Sequence, residues 1–393
     1  MFLPLIAAIL ISACAGPQAG PEAQAPALVR VSSFDYPDFT DGGDIAALSA
    51  SVSQSIAYFE KLPPERAFTF DDTAYTASTM ARSLTALRDF LLTNPAPDAL
   101  SEYVAEHFDV YETVGSDGYG TVLFTGYYTP ELDAHAEPDD AFQYPLYRLP
   151  DDLVSVDLGL FREKYKGEKI VGRVEGGAFV PYHTRRDIDN AFALSGRGLE
   201  IAWLSDPVEI FFLQVQGSGV LRFPDGTVKH VNYAGANGRA YRSIGKFLVE
   251  QGKAGLDEMS LDFLTGYLRA HPDEATDILN YNESYVFFTL ADEGPFGSLG
   301  LPVTGERSIA TDKAVFPPGG LAFIETDLPS FNEAGAVTGL EAYSRFVLDQ
   351  DTGGAIKGPG RVDIYFGFGE EARRRAGYMK QFGRLYYLVG RGE

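Results

Sequence analysis

A mainly β protein with flanking helices is predicted by three features of this chain. Its 393 residues exceed what one hydrophobic core usually holds, which favours about two domains. From Gly118 onward, short runs rich in β-branched and aromatic residues alternate with Gly, Pro and Asp, as strands and turns do. Between residues 44 and 108, by contrast, apolar residues recur at helical spacing. Strands therefore form most of the predicted fold.

Three helices are predicted in the region 44–108. Their sequences are IAALSASVSQSIAYFEKL, TASTMARSLTALRDFLLTN and DALSEYVAEHF, each with an apolar face at helical spacing. Asp71 and Asp72 are interpreted as the start signal of the second helix, and Pro97 and Asp98 as that of the third.

The region that follows Gly118 is interpreted as all β, including the run VEIFFLQVQGSG. The stretch Phe223–Thr227 predicts a hairpin, because its Asp-Gly pair suits a turn with positive φ. Helical spacing returns at 239–251 and 259–280, and a final β-rich region runs from Tyr285 to Val389.

The composition excludes several classes of protein. Apolar residues make up 45% of the chain, which fits a folded soluble body rather than a polytopic membrane protein or a disordered chain. The net charge of −23 has the wrong sign for following a phosphate backbone, so no nucleic-acid partner is expected. With one Cys and five scattered His, neither an internal disulfide nor a metal site is expected.

The amino terminus has the features of a bacterial lipoprotein signal. Residues 1–13 form an apolar run that suits a signal peptide and is too short to span a bilayer. Small Ser12 and Ala13 precede Cys14, so Cys14 is predicted to become the lipid-bearing first residue. A plain secretory signal and a buried strand with an incidental Cys are the alternatives, and no Lys or Arg precedes the run. Residues 14–30 are interpreted as a flexible tether.

The most informative run lies at residues 349–369. It contains Asp349, Asp351 and Asp363, and its glycines permit turns that can bring the last two together. In VDIYF, strand alternation places Asp363 and Tyr365 on one face. A carboxylate beside a second carboxylate in apolar surroundings acquires the raised pKa of an acid catalyst. The alternative is that these aspartates only cap turns beside glycines.

A set of motifs runs in a fixed order through most of the chain. DTGGAIKG, RVDIYFG and GRLYYLV follow FTGYYTPEL, YPLYRLP, QVQGSG, NYAGANGRAYRSIGKFL, NESYVFF and PPGG. Together these motifs resemble the membrane-bound lytic murein transglycosylase A family and its three-aspartate domain, over roughly residues 100–393. The resemblance implies a double-psi β-barrel domain, 31–130 plus 290–393, interrupted by an inserted β-barrel domain, 131–289, with a glycan groove between them.

The activity implied by this resemblance is lytic cleavage of peptidoglycan. The family breaks the β-1,4 bond between N-acetylmuramic acid and N-acetylglucosamine without water, because the muramyl C6 hydroxyl attacks C1 and forms a 1,6-anhydro ring. One carboxylate then suffices, first as general acid and then as general base, and no cofactor is implied. By resemblance this residue is Asp363, and Asp351 supports it. Lys357 either orients Asp351, meets a substrate carbonyl or is a solvated loop residue.

Other positions in the matching motifs are candidates for holding sugar, with buried barrel or turn positions as the alternative. They are Thr125, Tyr127, Tyr128, Gln216, Ser218 and Tyr365. Asp349 matches the family less well and is expected to cap a turn.

Two other functions stay open. A conventional glycoside hydrolase would use Asp363 together with Asp351 and water. A non-catalytic peptidoglycan-binding lipoprotein would need no protonatable carboxylate at residue 363. For each of these, the lipid anchor implies the periplasmic side of the outer membrane in a Gram-negative bacterium, with glycan strands as the partner.

Overall fold

A computed structural model describes residues 26–255, 258–333 and 335–391. The predicted signal peptide, Cys14 and most of the predicted tether lie outside these residues. Within the described ranges, no helix combines the length and the apolar character that crossing a bilayer requires.

The described residues form nineteen strands and nine α-helices, besides three short 3-10 helices. The first strands are β1 (Leu28–Arg30), β2 (Ala67–Phe70), β3 (Thr73–Thr76), β4 (Phe108–Thr113) and β5 (Val122–Thr129). The next are β6 (Glu131–Asp133), β7 (Tyr144–Tyr147), β8 (Val154–Asp157), β9 (Lys169–Glu175), β10 (Ala178–Pro181), β11 (Glu200–Leu204), β12 (Ser218–Arg222), β13 (Val228–Ala236) and β14 (Val286–Ala291). The last are β15 (Ser308–Ala310), β16 (Leu321–Phe331), β17 (Val337–Asp351), β18 (Arg361–Phe368) and β19 (Lys380–Gly390). The helices are α1 (Ile45–Glu60), α2 (Ala77–Leu91), α3 (Pro97–His107), α4 (Arg185–Asp189), α5 (Pro207–Gln216), α6 (Ile244–Glu250), α7 (Leu261–Ala270), α8 (Pro272–Tyr281) and α9 (Gly369–Tyr378).

Six of these strands close into the main barrel. Their order is β5, β18, β15, β17, β16 and β19, and β19 pairs back with β5. The pairs β5–β18 and β15–β17 are parallel, whereas the other pairs are antiparallel. Phe124, Ile309, Phe323, Val347 and Leu388 are buried in its core. Strand β5 and the strands of residues 308–390, which are far apart in the chain, are therefore both needed to close this barrel.

The three predicted amino-terminal helices are confirmed as α1, α2 and α3. Helix α1 contacts β17 and α2 contacts β19, so these two helices cover one side of the barrel. Pro97 and Asp98 begin α3 as predicted. The start signal assigned to α2 was wrong: Asp71 and Asp72 form the turn of the β2–β3 hairpin. Thr76 caps α2 instead, because its hydroxyl accepts a hydrogen bond from the Thr79 N–H at 3.2 Å.

A second β unit interrupts the main barrel between β5 and β15. Strands β6, β12, β13 and β14 form one sheet, and β7 pairs with β11. The bridges His135–Trp203 and Arg148–Phe288 join these two sheets into a ring. The unit has its own core, which includes Leu146, Leu221 and Phe288. These features confirm a mainly β fold with flanking helices, in which one barrel is interrupted by another.

Of two predictions made for this second unit, one is wrong and the other is confirmed. The run VEIFFLQVQ was wrongly taken as a strand, because it forms the helix α5. Asp206 caps that helix, Pro207 begins it and Gly217 ends it at φ 80°, so local start and stop signals outweigh the β preference of its apolar residues. The Phe223–Thr227 hairpin is confirmed by a Phe223 N–H to Thr227 O bond of 2.9 Å.

Candidate functional site

Asp363 lies on β18, between β5 and β15. Thr125 is its register neighbour on β5, and the Thr125 hydroxyl donates a hydrogen bond to Asp363 Oδ1. Arg361 Nε lies 3.6 Å from the same oxygen. The Asp363 side chain is 20% exposed, so it is largely dehydrated and still reachable by a ligand.

The surroundings of Asp363 favour its protonated form. Burial raises the pKa of this carboxyl above its ordinary value, while the Arg361 charge and the Thr125 hydrogen bond oppose that rise. Because burial is the largest of these effects, Asp363 holds a proton at a higher pH than an exposed aspartate does. It can therefore serve as a proton donor.

Asp351 lies at the end of β17 and has a full set of hydrogen-bond donors. Its Oδ1 accepts from the Ser298 and Thr352 N–H groups at 2.9 and 2.8 Å, and its Oδ2 accepts from the Tyr127 hydroxyl at 2.9 Å. Burial raises the pKa of Asp351, and these donors oppose the rise. Both oxygens are thus engaged in holding neighbouring groups.

The short strand β15 separates the two aspartates. Ala310 is the register neighbour of Asp351 on one side and of Asp363 on the other. Two strand spacings put their Cα atoms about 10 Å apart. Strand β5 links them a second time, because Thr125 bonds to Asp363 and Tyr127 bonds to Asp351.

Tyr365 shares the face of Asp363 on β18, as alternation predicted, but it is fully buried. Its hydroxyl bonds to the Thr129 hydroxyl at 2.8 Å, and its ring lies 5.0 Å from the Tyr127 ring, centroid to centroid. Tyr365 therefore packs against Tyr127 on the Asp363 side of β18, and in this structure its side chain offers no exposed surface to a sugar.

Tyr128, Gln216 and Ser218 lie at the junction of the two β units. Gln216 Oε1 accepts a hydrogen bond from the Tyr128 N–H at 3.1 Å, which ties α5 to β5. The buried Tyr128 side chain lines a cavity of about 370 Å³ together with Phe212 and Arg373. Ser218 is buried on β12. In the part of the chain that the structure describes, none of the three bonds to Asp351 or Asp363.

Lys357 is exposed, and within the described ranges it forms no ion pair with Asp351 or Asp363. The cation whose charge acts on Asp351 is Lys313, which lowers the pKa of that carboxyl. Lys357 therefore does not pair with Asp351 in this structure, and a contact with substrate and a solvated loop position are the two roles still open to it.

Asp349 is enclosed in the main barrel and does not cap a turn as expected. Lys313 Nζ forms an ion pair with Asp349 Oδ1, the Thr311 hydroxyl lies 2.8 Å from Oδ2, and the Tyr387 hydroxyl donates to Oδ2 at 2.9 Å. Its side chain is completely buried. Asp349 is the register neighbour of the completely buried Ile309, and the register shifts before Asp351, so the two aspartates have different surroundings although they are two residues apart.

Two residues near the site were missed by the sequence analysis. Asp312 Oδ2 accepts a hydrogen bond from the Gly358 N–H at 2.9 Å and so holds the loop between Asp351 and Asp363. Tyr241, from the interrupting unit, lies close enough for the charges of Arg361 and Asp363 to act on its hydroxyl. Tyr241 lies within the NYAGANGRAYRSIGKFL motif but was not singled out there, Asp312 lies outside the quoted motifs, and both reach the site through tertiary contacts. No cluster of His, Cys, Asp or Glu in the described ranges could hold a metal ion.

The interrupting β unit and the carboxyl-terminal part of the main barrel each match a known protein family model. Residues 123–289 match the family model for the MltA specific insert domain, and residues 307–389 match the 3D domain. The membrane-bound lytic murein transglycosylase A of Escherichia coli K12 is 34% identical over 283 residues, which cover 71% of this chain and 69% of that protein.

Solved structures show the same similarity over nearly the whole chain. The membrane-bound lytic murein transglycosylase from Agrobacterium tumefaciens has a TM-score of 0.75 at 29% identity, covering 93% of this chain and 98% of that one. The E. coli MltA with bound chitohexaose has a TM-score of 0.70 at 28% identity, covering 94% and 96%.

Proposed function

The chain belongs to the membrane-bound lytic murein transglycosylase A family and is a peptidoglycan lytic transglycosylase, and from this premise we propose how its residues perform the cleavage. Asp363 is the one acid and base for breaking the β-1,4 bond between N-acetylmuramic acid and N-acetylglucosamine. No water takes part, and the product ends in 1,6-anhydromuramic acid. The observation that carries the proposal is a carboxyl that is largely dehydrated, reachable and incompletely hydrogen-bonded.

In the first step protonated Asp363 gives its proton to the glycosidic oxygen. The bond from that oxygen to the muramyl C1 breaks, and N-acetylglucosamine leaves with a hydroxyl at C4. In the second step the Asp363 carboxylate takes the proton of the muramyl C6 hydroxyl as O6 bonds to C1. Asp363 ends protonated again, and the intramolecular attack benefits from a high effective concentration of O6.

Arg361 and Thr125 support the charged form of Asp363 that exists between the two steps. Arg361 Nε lies 3.6 Å from Oδ1, and the Thr125 hydroxyl donates to the same oxygen. These two groups stabilise the carboxylate, while burial keeps the protonated form accessible. The balance suits a group that must alternate between two protonation states.

Asp351 is a positioning residue in this proposal. It holds the Tyr127 hydroxyl and the Ser298 and Thr352 N–H groups around the site. A hydrolase would need a second carboxylate with a free oxygen to activate water. The three donors to Asp351 oppose the rise of its pKa and so weaken it as a base for water, which favours the reaction without water.

Product analysis tests the proposal. The purified protein is incubated with peptidoglycan glycan strands, and the soluble fragments are weighed by mass spectrometry. We expect muropeptides with 1,6-anhydro ends. Fragments heavier by one water would instead establish a hydrolase, and strands that are bound but uncut would establish a binding protein.

The location of the enzyme is a second part of the proposal. We propose that Cys14 carries a lipid that anchors the protein on the periplasmic side of the outer membrane. Residues 14–30 then form the tether, residues 31–130 plus 290–393 form the catalytic domain, and residues 131–289 form the insert. The apolar run before the only cysteine supports this placement. Cys14→Ser is expected to move the protein from the membrane fraction to the soluble fraction, and retention in the membrane fraction would contradict lipidation.

A further inference from the structure

The insert carries a small sheet with one exposed apolar face. Strands β8, β9 and β10 form this sheet in the order β10, β9, β8. Phe179 lies opposite Val174, and Val156 lies opposite Ile170. Side chains directly opposite each other in antiparallel strands share a face, so these four residues lie on the same side. Val154 joins them opposite Gly172.

The opposite face of the sheet is covered by the protein. A Cβ on Gly238 would lie 2.6 Å from the Val171 Cβ, so the backbone of the 238 loop lies directly against Val171. Arg173, on the same face, has a side chain that is only 18% exposed. On the apolar face, by contrast, Val174 is 65% exposed. The sheet therefore rests on the insert by one face and presents the other to solvent.

The connection between β8 and β9 adds two exposed apolar residues next to this sheet. Leu158 N–H bonds to Glu168 O at 2.9 Å, which closes the hairpin end. Within it, Leu160 is 85% exposed and Phe161 is 73% exposed. Neighbouring exposed residues of this size are unusual on a soluble monomer and mark interaction sites. We name the surface made of Val154, Leu160, Phe161, Ile170, Val174 and Phe179 the sheet patch.

The charge around the sheet patch is opposite to that of the whole protein. Residues 154–179, which hold the whole sheet patch, contain five Lys or Arg and four Asp or Glu, an excess of one positive charge on a chain whose net charge is −23. Lys166 pairs with Glu163 and Arg173 pairs with Glu175. Arg162, Lys164 and Lys169 are exposed and form no ion pair within the described residues. Exposed cations beside Leu160 and Phe161 suit an anionic partner.

We propose that the sheet patch binds the surface of a membrane that contains anionic phospholipids. Leu160 and Phe161 enter the boundary between headgroups and acyl chains, and the surrounding Lys and Arg contact the phosphates. Acyl chains explain the patch better than a glycan does, because Leu160, Ile170 and Val174 are aliphatic and cannot stack on a sugar ring as an aromatic side chain can. The contact is independent of the catalytic proposal and adds a second membrane attachment to the predicted lipid.

Vesicle flotation tests this binding with a chain that begins at Ala15, which retains every described residue and carries no anchor. Vesicles contain either phosphatidylcholine alone or phosphatidylcholine with phosphatidylglycerol. We expect binding to the anionic vesicles, at least about tenfold weaker binding at high salt, and a similar loss in Lys164→Glu/Lys166→Glu. The Leu160→Ser/Phe161→Ser variant should also bind the anionic vesicles at least about tenfold more weakly than the parent chain.

The control is Phe34→Ser/Leu92→Ser, which removes two apolar side chains that are 97% and 70% exposed elsewhere. This control should bind anionic vesicles like the parent chain, and all variants should cleave soluble glycan strands at the parent rate. Equal loss in the control and patch variants would overturn the proposal. The proposal would also be overturned if the parent chain did not float with anionic vesicles. It would likewise be overturned if the patch variants lost affinity for purified peptidoglycan and kept their affinity for vesicles.

Discussion

Asp349 and Asp363 lie in the same barrel, and burial raises the pKa of both, yet their surroundings differ. Asp349 is completely buried and is held by Lys313, Thr311 and Tyr387. Asp363 is partly exposed and has one hydroxyl donor and one cation at 3.6 Å. A carboxyl group that is enclosed and fully partnered is fixed in the core, whereas one that is dehydrated, reachable and incompletely partnered can exchange a proton with a ligand.

The largest expected effect comes from Asp363→Asn. An amide cannot give and take the proton, so turnover of glycan strands should fall by about a thousandfold or more. Thermal stability should stay the same or rise, because a dehydrated charge is removed. The matched control is Asp327→Asn, which changes an exposed aspartate on β16 and should leave turnover intact. Turnover of Asp363→Asn within tenfold of the parent rate would assign the chemistry to another group.

The next effect concerns Asp349. Lys313→Met leaves the Asp349 charge buried without its cation, which should lower the free energy of unfolding by about 3–5 kcal/mol. Chemical denaturation measures this loss, and Lys313→Met/Asp349→Leu should recover most of it because both charges are gone. If the single and the double variant are equally unstable, the ion pair is not the cause.

The loss in Lys313→Met should also depend on pH. The folded pKa of Asp349 is already raised, so its charged form is disfavoured by folding and stability falls as pH rises through that pKa. Without Lys313 the pKa rises further, since Lys313 opposes the rise. The variant should therefore be closest to the parent in acid and furthest from it at neutral and alkaline pH.

A smaller effect is expected for Tyr127→Phe. The variant removes the hydroxyl that donates to Asp351 Oδ2 at 2.9 Å and leaves that oxygen without its donor. Stability should fall by about 1–3 kcal/mol. Turnover should fall as well, with little change in KM, because Tyr127 positions the site. Unchanged stability and turnover would show that Asp351 needs no donor at this oxygen.

The smallest effect is a shift in the pH profile of Thr125→Val. The Thr125 hydrogen bond lowers the Asp363 pKa, so its removal should raise that pKa. Since the acid must start protonated, activity falls as pH rises through the pKa, and the alkaline limb should move to higher pH. Arg361→Gln should move it the same way, whereas Arg361→Lys should not. A shift to lower pH in Thr125→Val would contradict the proposed role of Asp363.

The sequence motifs led to Asp351, Asp363, Thr125 and Tyr127, which the structure brings together through adjacent strands. They did not lead to Asp312, Lys313 or Tyr241. The Asp312 bond spans 46 residues of chain, and such a contact leaves no local pattern. The VEIFFLQVQ run was wrongly predicted to be a strand for a related reason. A short apolar run has the same sequence pattern whether it forms a buried strand or a buried helix.

Local features were determined by the sequence alone: the three amino-terminal helices, the hairpin at Asp225-Gly226 and the shared face of Asp363 and Tyr365. Each depends on residues a few positions apart. Only the tertiary structure decided that Tyr365 and Asp349 are completely buried and that Asp363 is reachable. Burial and hydrogen-bond partners depend on which strands pair, and here β5, β15 and β18 meet from distant parts of the chain.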